Sequence, residues 1–136
     1  MQFPQNIIDF LKEPNFMVFG TNGGSGHPQL TIVWFEFADG VFKISTVTDR
    51  VKYKNVVRDP KVAMVIYDRG NPYRYVQAQG DVTDMTKEGG HDFIDHLSRR
   101  YTANATYKGD PLRKEDRVTI TITPTRFSSV GFVAMS

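Results

Sequence analysis

Positive charge is concentrated in one short stretch of the chain, within residues 50–58. The basic side chains there are those of Arg50, Lys52, Lys54 and Arg58. Guanidinium and ammonium groups bind phosphate through charge-assisted hydrogen bonds, and a helix start, predicted here with Thr48 or Asp49 as its cap, also favours an anion. Hydroxyl groups that could donate further hydrogen bonds precede it, on Ser45, Thr46 and Thr48. We therefore predict an anion-binding site, with a solvated basic helix face as the alternative.

Other reactive groups are scarce in this sequence. Cysteine is absent, which excludes a disulfide scaffold, a thiol nucleophile and a zinc site built on thiolates. His91 and His96 lie five residues apart, so they do not share a helix face, and we predict no metal site. Gly24 and Gly26 do not lead into a helix, which excludes a dinucleotide-binding fingerprint. No P-loop, serine elbow or catalytic triad is evident, so covalent hydrolysis has little support.

Length and composition bound the class of protein. The 136 residues are the usual size of one domain, and we predict a single domain over residues 1–136. The hydrophobic fraction of 40% and the charged fraction of 24% are ordinary for a soluble globular chain, and no stretch approaches the roughly 20 apolar residues of a membrane span. Polar residues and proline interrupt residues 1–12, which is not typical of a secretory signal, so we expect a cytoplasmic protein. The net charge of +2, with the basic run confined to one junction, argues against a nucleic-acid partner.

Hydrophobic periodicity predicts the elements that must position the basic stretch. Apolar residues at helical spacing predict helices over residues 4–12, 49–57 and 87–101. Alternating or continuous apolar runs predict strands over residues 16–21, 29–37, 41–47, 62–67, 73–83, 117–123 and 127–133. Most strands are joined by short turns such as Asp39-Gly40, which favours an antiparallel sheet. We therefore predict a mainly β (α+β) fold, a six- to seven-stranded antiparallel split β-barrel with short flanking helices.

Three local expectations accompany this fold. Trp34 is spaced evenly with Leu30 and Ile32, so we expect it in the core rather than at a ligand. The run over residues 62–67 is apolar almost throughout, which is typical of a strand covered on both faces. Gly80 interrupts an alternating strand and is expected at a β-bulge.

A series of short motifs follows a fixed order along the chain. They are Gly26-His27-Pro28-Gln29-Leu30-Thr31-Ile32-Val33-Trp34-Phe35, Asp39-Gly40, Arg50-x-Lys52-x-x-Asn55, Arg58-Asp59-Pro60, Asn71-Pro72-Tyr73-Arg74-Tyr75-Val76 and Gly80. In this order and spacing, the chain resembles the pyridoxamine 5′-phosphate oxidase-like split β-barrel superfamily. Within it, the sequence looks most like the small deazaflavin-dependent reductases, which use coenzyme F420. The resemblance runs from about Phe3 to Phe127.

The resemblance implies a homodimer with two cofactor sites at the subunit interface. Arg50 and Lys52 match the phosphate-binding pair of similar proteins, and Asn55 follows on the same helix. The strand positions that line the tricyclic ring correspond to Gln29 and Thr31. The backbone strip along the edge of the ring corresponds to Ser45, Thr46 and Val47. The aromatic positions that reach the site from the partner subunit correspond to Tyr73 and Tyr75, for which a half-buried tyrosine pair on a sheet is the alternative.

The implied activity is that of an oxidoreductase that transfers a hydride to an unsaturated small-molecule substrate. The cofactor ring carries such chemistry, which agrees with the missing acid–base constellation, and no side chain is assigned a catalytic role. FMN is the alternative cofactor, since the same basic cluster would hold its phosphate, and a non-catalytic cofactor-binding module is the alternative function. Positive charge for the carboxylates of the deazaflavin tail could come from Lys54, Arg58, Arg69 and Arg74, for which solubilising surface charge is the alternative. The polar loop over residues 102–115 is expected to shape substrate access, with no role assigned to its Tyr107 or Arg113.

Overall fold

The computed structural model describes residues 1–109 and 116–133. In these ranges the helices are α1 (Gln5–Leu11), α2 (Val51–Arg58) and α3 (Gly90–Tyr101). The strands are β1 (Phe16–Asn22), β2 (Pro28–Val33), β3 (Glu36–Ala38), β4 (Val41–Val47), β5 (Lys61–Tyr67), β6 (Tyr75–Thr86) and β7 (Arg117–Val130). No helix within these ranges is long and apolar enough to cross a membrane. Arg113, in the predicted polar loop, lies outside the described residues.

The strands form one antiparallel sheet in the order β2-β1-β5-β6-β7-β4-β3. Every neighbouring pair in this order is antiparallel. The β3–β4 turn is the predicted Asp39-Gly40 hairpin, with positive φ at both residues (54° and 79°), which a two-residue hairpin of this type requires. The predicted mainly β, antiparallel class is therefore confirmed.

The order of the strands requires the sheet to curl. β2 and β3 lie at opposite edges of the sheet, yet only Trp34 and Phe35 separate the end of β2 from the start of β3. Because a link of three peptide steps spans about 11 Å at most, the two edges must approach each other. The two edge strands are not paired with each other, so the sheet closes into a barrel that is split between β2 and β3, as predicted.

Large apolar side chains fill the inside of the curled sheet. Phe19, Phe35 and Phe42 are completely buried, and α1 adds Phe10 and Leu11 to the same cluster. Burial of each such side chain contributes about 1.5–3 kcal/mol to stability. This core holds rigidly the strands that flank the basic stretch.

The outward face of β2 differs from the prediction. Leu30 and Ile32 are 65% and 64% exposed, whereas Val33 is buried. The expectation that Trp34 lies in the core beside Leu30 and Ile32 is therefore wrong. Alternation identifies two faces of a strand but not which of them is covered; pairing of Val33 with the buried Met17 of β1 decides it here.

The strand β5 is covered on one face, and the expectation that both faces are covered is wrong for the single chain. Its side chains at Lys61 and Ala63 are exposed, whereas Val62 and Met64 are buried. The exposed side continues across three neighbouring strands, because Ala63 pairs with Gly20, which pairs with Leu30. We call this surface the outer apolar face; its members are Val18, Leu30, Ile32, Ala63 and Val65.

The last two predicted strands are continuous in the structure as the 14-residue strand β7. Pro124 of β7 lies opposite Gly80 of β6, where the register shifts. Because a bulge interrupts the hydrogen-bond ladder, proline, which has no N–H, is tolerated there. A Cβ at Gly80 would lie 2.7 Å from the carbonyl oxygen of Thr123, so the close approach requires glycine. The predicted bulge at Gly80 is confirmed.

Candidate functional site

A cavity of about 300 Å³ lies beside the basic stretch. It is lined by Ile32, Val33, Trp34, Ser45, Thr46, Arg50, Lys52, Ile94, Leu97, Tyr107 and Arg117. Three of these side chains are cationic, two carry hydroxyl groups on β4, and none is acidic, so the lining suits an anion joined to an apolar or conjugated group. In residues 1–109 and 116–133, no cluster of three or more metal-ligating side chains occurs.

Cations from distant parts of the chain converge on this cavity. Arg50 and Lys52 stand at the start of α2, and Arg117 is the first residue of β7, opposite Val47 of β4. Burial lowers the pKa of the Lys52 amine, and the positive charges of Arg50 and Arg117 lower it further. Within the described part of the chain, no carboxylate pairs with the side chain of Arg50 or Lys52. Mutual repulsion of the cations therefore favours an incoming anion.

The first turn of α2 is open to such an anion. The helix begins at Val51 with Arg50 in the N-cap position, and no side chain caps it. The expectation that Thr48 or Asp49 is the cap is wrong, because the helix begins two residues later than predicted and both residues precede the cap. Its first turn contains no acidic residue. The free amides of this turn and the positive end of the helix dipole therefore add to the charge of Arg50 and Lys52.

The end of β4 supplies the predicted hydroxyl groups. Ser45 and Thr46 line the cavity, and Arg117 Nη1 lies 3.5 Å from Ser45 Oγ. Val47 follows them on β4. Its side chain is buried, and its backbone pairs with that of Arg117 on β7. Of the residues that the sequence suggested, the fold thus brings Ser45, Thr46, Arg50 and Lys52 to one cavity.

Gln29 and Thr31 lie on the inward face of β2, the same face as Val33, but neither is among the residues that line the cavity. Gln29 Oε1 and Thr31 Oγ1 are buried and have no hydrogen-bond partner among the described residues. A buried polar atom without a partner costs about 1–3 kcal/mol, so these two atoms suit a ligand with polar groups along its edge. The phosphate of a flavin or deazaflavin fits the cations that line the cavity.

The remaining predicted site residues lie outside the cavity lining. Asn55 is buried, and its side-chain amide donates to Thr21 Oγ1 over 2.9 Å while its Oδ1 accepts from Arg58 over 3.3 Å. Its amide therefore ties α2 to β1. Tyr73 is 80% exposed just before β6, and Tyr75, the first residue of β6, is half-buried. Neither tyrosine lines this cavity within one chain.

Among the lining residues that sequence reasoning missed are two aromatic residues and one cation, namely Trp34, Tyr107 and Arg117. Trp34 stacks on Tyr101 at the β2–β3 junction, and Tyr107 meets Trp34 edge-on, with ring centroids 6.3 Å apart. Arg117 lies 65 residues from Lys52 in sequence, and no spacing rule links the two. The pairing of β4 with β7 brings it to the site, and this pairing is not evident from the sequence.

Most of the basic residues suggested for a cofactor tail have other contacts. Arg58 donates to the carbonyl oxygen of Asn22 as well as to Asn55. Arg69 donates to the carbonyl oxygen of Pro14 and lies over the ring of Phe16. Arg74 pairs with Asp68 at 3.2 Å and lies between the rings of Phe10 and Phe132. These three arginines therefore stabilise the fold.

Comparison with known proteins agrees with this geometry. Residues 3–131 match the family described as pyridoxamine 5′-phosphate oxidase. The chain belongs to this family. Among solved structures of its relatives, one called F420 reductase is 33% identical, with a TM-score of 0.83 over 93% of this chain and 98% of that one. The predicted likeness of this family member to the deazaflavin-dependent type is thus confirmed in sequence and fold.

Two further structures extend the comparison. The conserved hypothetical protein Rv2991 from Mycobacterium tuberculosis is 26% identical, with a TM-score of 0.75 over 100% of this chain and 92% of that one. HupZ from Group A Streptococcus is 15% identical, with a TM-score of 0.67 over 94% of each chain, which shows the fold alone. No curated protein matches the chain.

Proposed function

We propose that this member of the pyridoxamine 5′-phosphate oxidase family is an oxidoreductase that binds coenzyme F420. In this proposal, it transfers a hydride to an unsaturated small-molecule substrate. The observation that carries the proposal is the convergence of Arg50, Lys52 and the open first turn of α2 on one cavity. The similarity of the chain to an F420 reductase supports the choice of cofactor.

In this proposal, different residues of the site hold different parts of the cofactor. Arg50 and Lys52 would bind the phosphate, with Ser45 and Thr46 donating hydrogen bonds beside them. The unpartnered atoms of Gln29 and Thr31 would meet the polar edge of the ring, and the backbone at Val47 would continue that strip. Asn55, one helical turn after Lys52, would position the helix through its bond to Thr21.

The protein contributes orientation and exclusion of water rather than acid–base chemistry. When bound, the reduced deazaflavin supplies a hydride to the substrate. The apolar side chains of Val33, Ile94 and Leu97 lower the local polarity, which strengthens each contact of the cations with an anion. Alignment of the flat cofactor ring with the substrate would then account for much of the rate gain.

A second copy of the chain would complete the site. The outer apolar face leaves Leu30 and Ile32 about two-thirds exposed, and Ile32 also lines the cavity. Exposed aliphatic side chains on a sheet adjoining a cavity favour coverage by another subunit. In such a homodimer Tyr73 and Tyr75 would reach the site of the partner.

FMN is the second candidate cofactor, and one observation favours it. Arg58, Arg69 and Arg74 make side-chain contacts within the described part of the fold, whereas the side chain of the exposed Lys54 makes no hydrogen bond or ion pair there. The single phosphate of FMN needs the Arg50–Lys52 pair alone.

Titration of the purified protein with F420 and with FMN, followed by absorbance and fluorescence, tests the choice. We expect F420 to bind at micromolar concentration or below, and its reduced form to be oxidised when a quinone is added. Tight FMN binding without F420 binding would overturn the assignment of the cofactor. Binding of F420 without oxidation by quinones, conjugated esters or tetrapyrroles would instead favour a non-catalytic binding module.

A further inference from the structure

A third cation, Arg117, lies in the cavity with Arg50 and Lys52. It lines the same cavity, and its charge acts on Lys52 strongly enough to contribute to the lowered pKa of that amine. Its Nη1 lies 3.5 Å from Ser45 Oγ, so the guanidinium stands beside the hydroxyl groups of β4. A guanidinium offers several donors in one plane, which suits the oxygens of a phosphate.

The Arg117 guanidinium packs over the ring of Tyr107. The guanidinium carbon lies 4.8 Å from the centroid of the Tyr107 ring, within the range of a cation–π contact. The backbone N–H of Tyr107 donates to Oδ1 of the buried Asp95 over 2.7 Å, which fixes the loop after α3. The outer end of the Tyr107 ring lies against Gly109, where an added Cβ would clash with it.

We propose that Arg117 is a third anion-binding residue of this site and that Tyr107 positions it. The inference rests on the proposed function, because it assumes that the anion in the cavity is the phosphate of the flavin or deazaflavin. Arg50 and Lys52 then grip the phosphate from the helix, and Arg117 grips it from the opposite strand. The start of β7 becomes part of the cofactor site, and the loop after α3 becomes its support.

Two pairs of ligands test the role of Arg117. FMN and riboflavin share a ring and differ by the phosphate alone, whereas F420 and its ring–ribityl fragment differ by the phosphate and by the carboxylate-bearing tail, so the first pair isolates the phosphate. We expect Arg117→Gln to raise the Kd for the phosphorylated ligand tenfold to a hundredfold and to leave the Kd for the phosphate-free ligand within about twofold. An equal rise in the Kd for both ligands, or no change in either Kd, overturns the proposal.

A second variant protects the test against loss of the fold. Arg117→Lys keeps the charge but removes the planar donor set, and thermal unfolding with far-UV circular dichroism shows whether each variant is folded. If Arg117→Gln does not fold, Arg117→Lys is used in its place. A severalfold rise in the Kd for FMN or F420, with no rise for the phosphate-free ligand, supports the proposal. An unchanged Kd for FMN or F420 contradicts it.

The role of Tyr107 is separated by a double-mutant cycle. Tyr107→Phe keeps the ring and should bind the phosphorylated ligand like the wild type. Tyr107→Leu removes the ring and should raise the Kd for that ligand about two- to fivefold. In the Arg117→Gln background, Tyr107→Leu should add no further loss. An equal loss in both backgrounds would show that Tyr107 does not act through Arg117.

Failure of the proposed function gives a different result. A wild-type protein that binds neither F420 nor FMN contradicts the proposed function, and inorganic phosphate then serves as the probe. A rise in Tm with phosphate that Arg117→Gln abolishes still supports an anion site at Arg117. No rise in the wild type overturns it.

Discussion

Trp34 and Tyr101 lie face to face, with ring centroids 5.4 Å apart and ring planes 5° from parallel. The Tyr101 hydroxyl donates to the carbonyl oxygen of Asn15 over 2.6 Å and accepts the N–H of Phe35 over 3.2 Å. Burial raises the pKa of this hydroxyl, which keeps it protonated and able to donate. One side chain of α3 therefore holds the two-residue link that closes the barrel and supports a wall of the cavity.

Loss of the Tyr101 hydroxyl should destabilise this closure. Tyr101→Phe keeps the stack but leaves the Asn15 carbonyl without its partner, so we expect the free energy of unfolding to fall by about 1–3 kcal/mol. Urea denaturation measures the change. Tyr73→Phe, at a position that is 80% exposed, is the matched control and should stay within about 0.5 kcal/mol of the wild type.

The phosphate pair should dominate cofactor affinity. Replacement of Arg50 or Lys52 by glutamine should raise the Kd for FMN or F420 at least about tenfold each, because a charge-assisted hydrogen bond is lost. Both variants should also show a weaker dependence of affinity on salt. Lys54→Gln, at an exposed helix position outside the cavity lining, serves as the control in the FMN titration. An Arg50→Gln or Lys52→Gln protein with wild-type affinity would contradict the assignment.

The lowered pKa of Lys52 predicts a pH dependence of binding. The amine must be charged to hold the phosphate, so affinity should decline as pH rises through its pKa, beginning below the ordinary value near 10.5. The positive charges that face it are those of Arg50 and Arg117. Lys52→Arg should flatten the decline in the FMN titration, and riboflavin measured in parallel removes any contribution of the ring. An identical slope in wild type and Lys52→Arg would show that another group titrates.

The outer apolar face should hold the proposed homodimer together. A charged side chain at Leu30 or Ile32 would be buried without a partner in the interface, so Leu30→Asp and Ile32→Asp should be monomers at about 10 μM. Light scattering after size-exclusion chromatography measures the mass. Val57→Asp, at a position that is 57% exposed on α2, should remain dimeric. Dimeric Leu30→Asp and Ile32→Asp proteins would place the interface elsewhere.

Local sequence signals were sufficient for much of this protein. The Asp39-Gly40 turn, the bulge at Gly80 and the three helices follow from backbone preferences that act over a few residues, and the structure confirms them. The pairing of Arg50 and Lys52 at the start of one helix was equally evident, because both lie within a single turn.

The sequence could not decide which face of a strand is covered. The apolar residues Leu30 and Ile32 suggested the core, but they lie on the outer apolar face, and the polar Gln29 and Thr31 point inward with unpartnered atoms. Placing polar atoms inside and aliphatic side chains outside conflicts with folding preferences for an isolated chain. Such conflicts are expected where a ligand and a second subunit complete the structure.

The sequence by itself determined the antiparallel class, the turns and the helix at whose start Arg50 and Lys52 lie, because each depends on neighbouring residues. The tertiary structure decided that Arg117, Tyr107 and Trp34 join that pair around one cavity. Their meeting depends on the β4–β7 pairing and on curling of the sheet between β2 and β3, and these long-range contacts are specified by the packing of the whole core rather than by any local pattern.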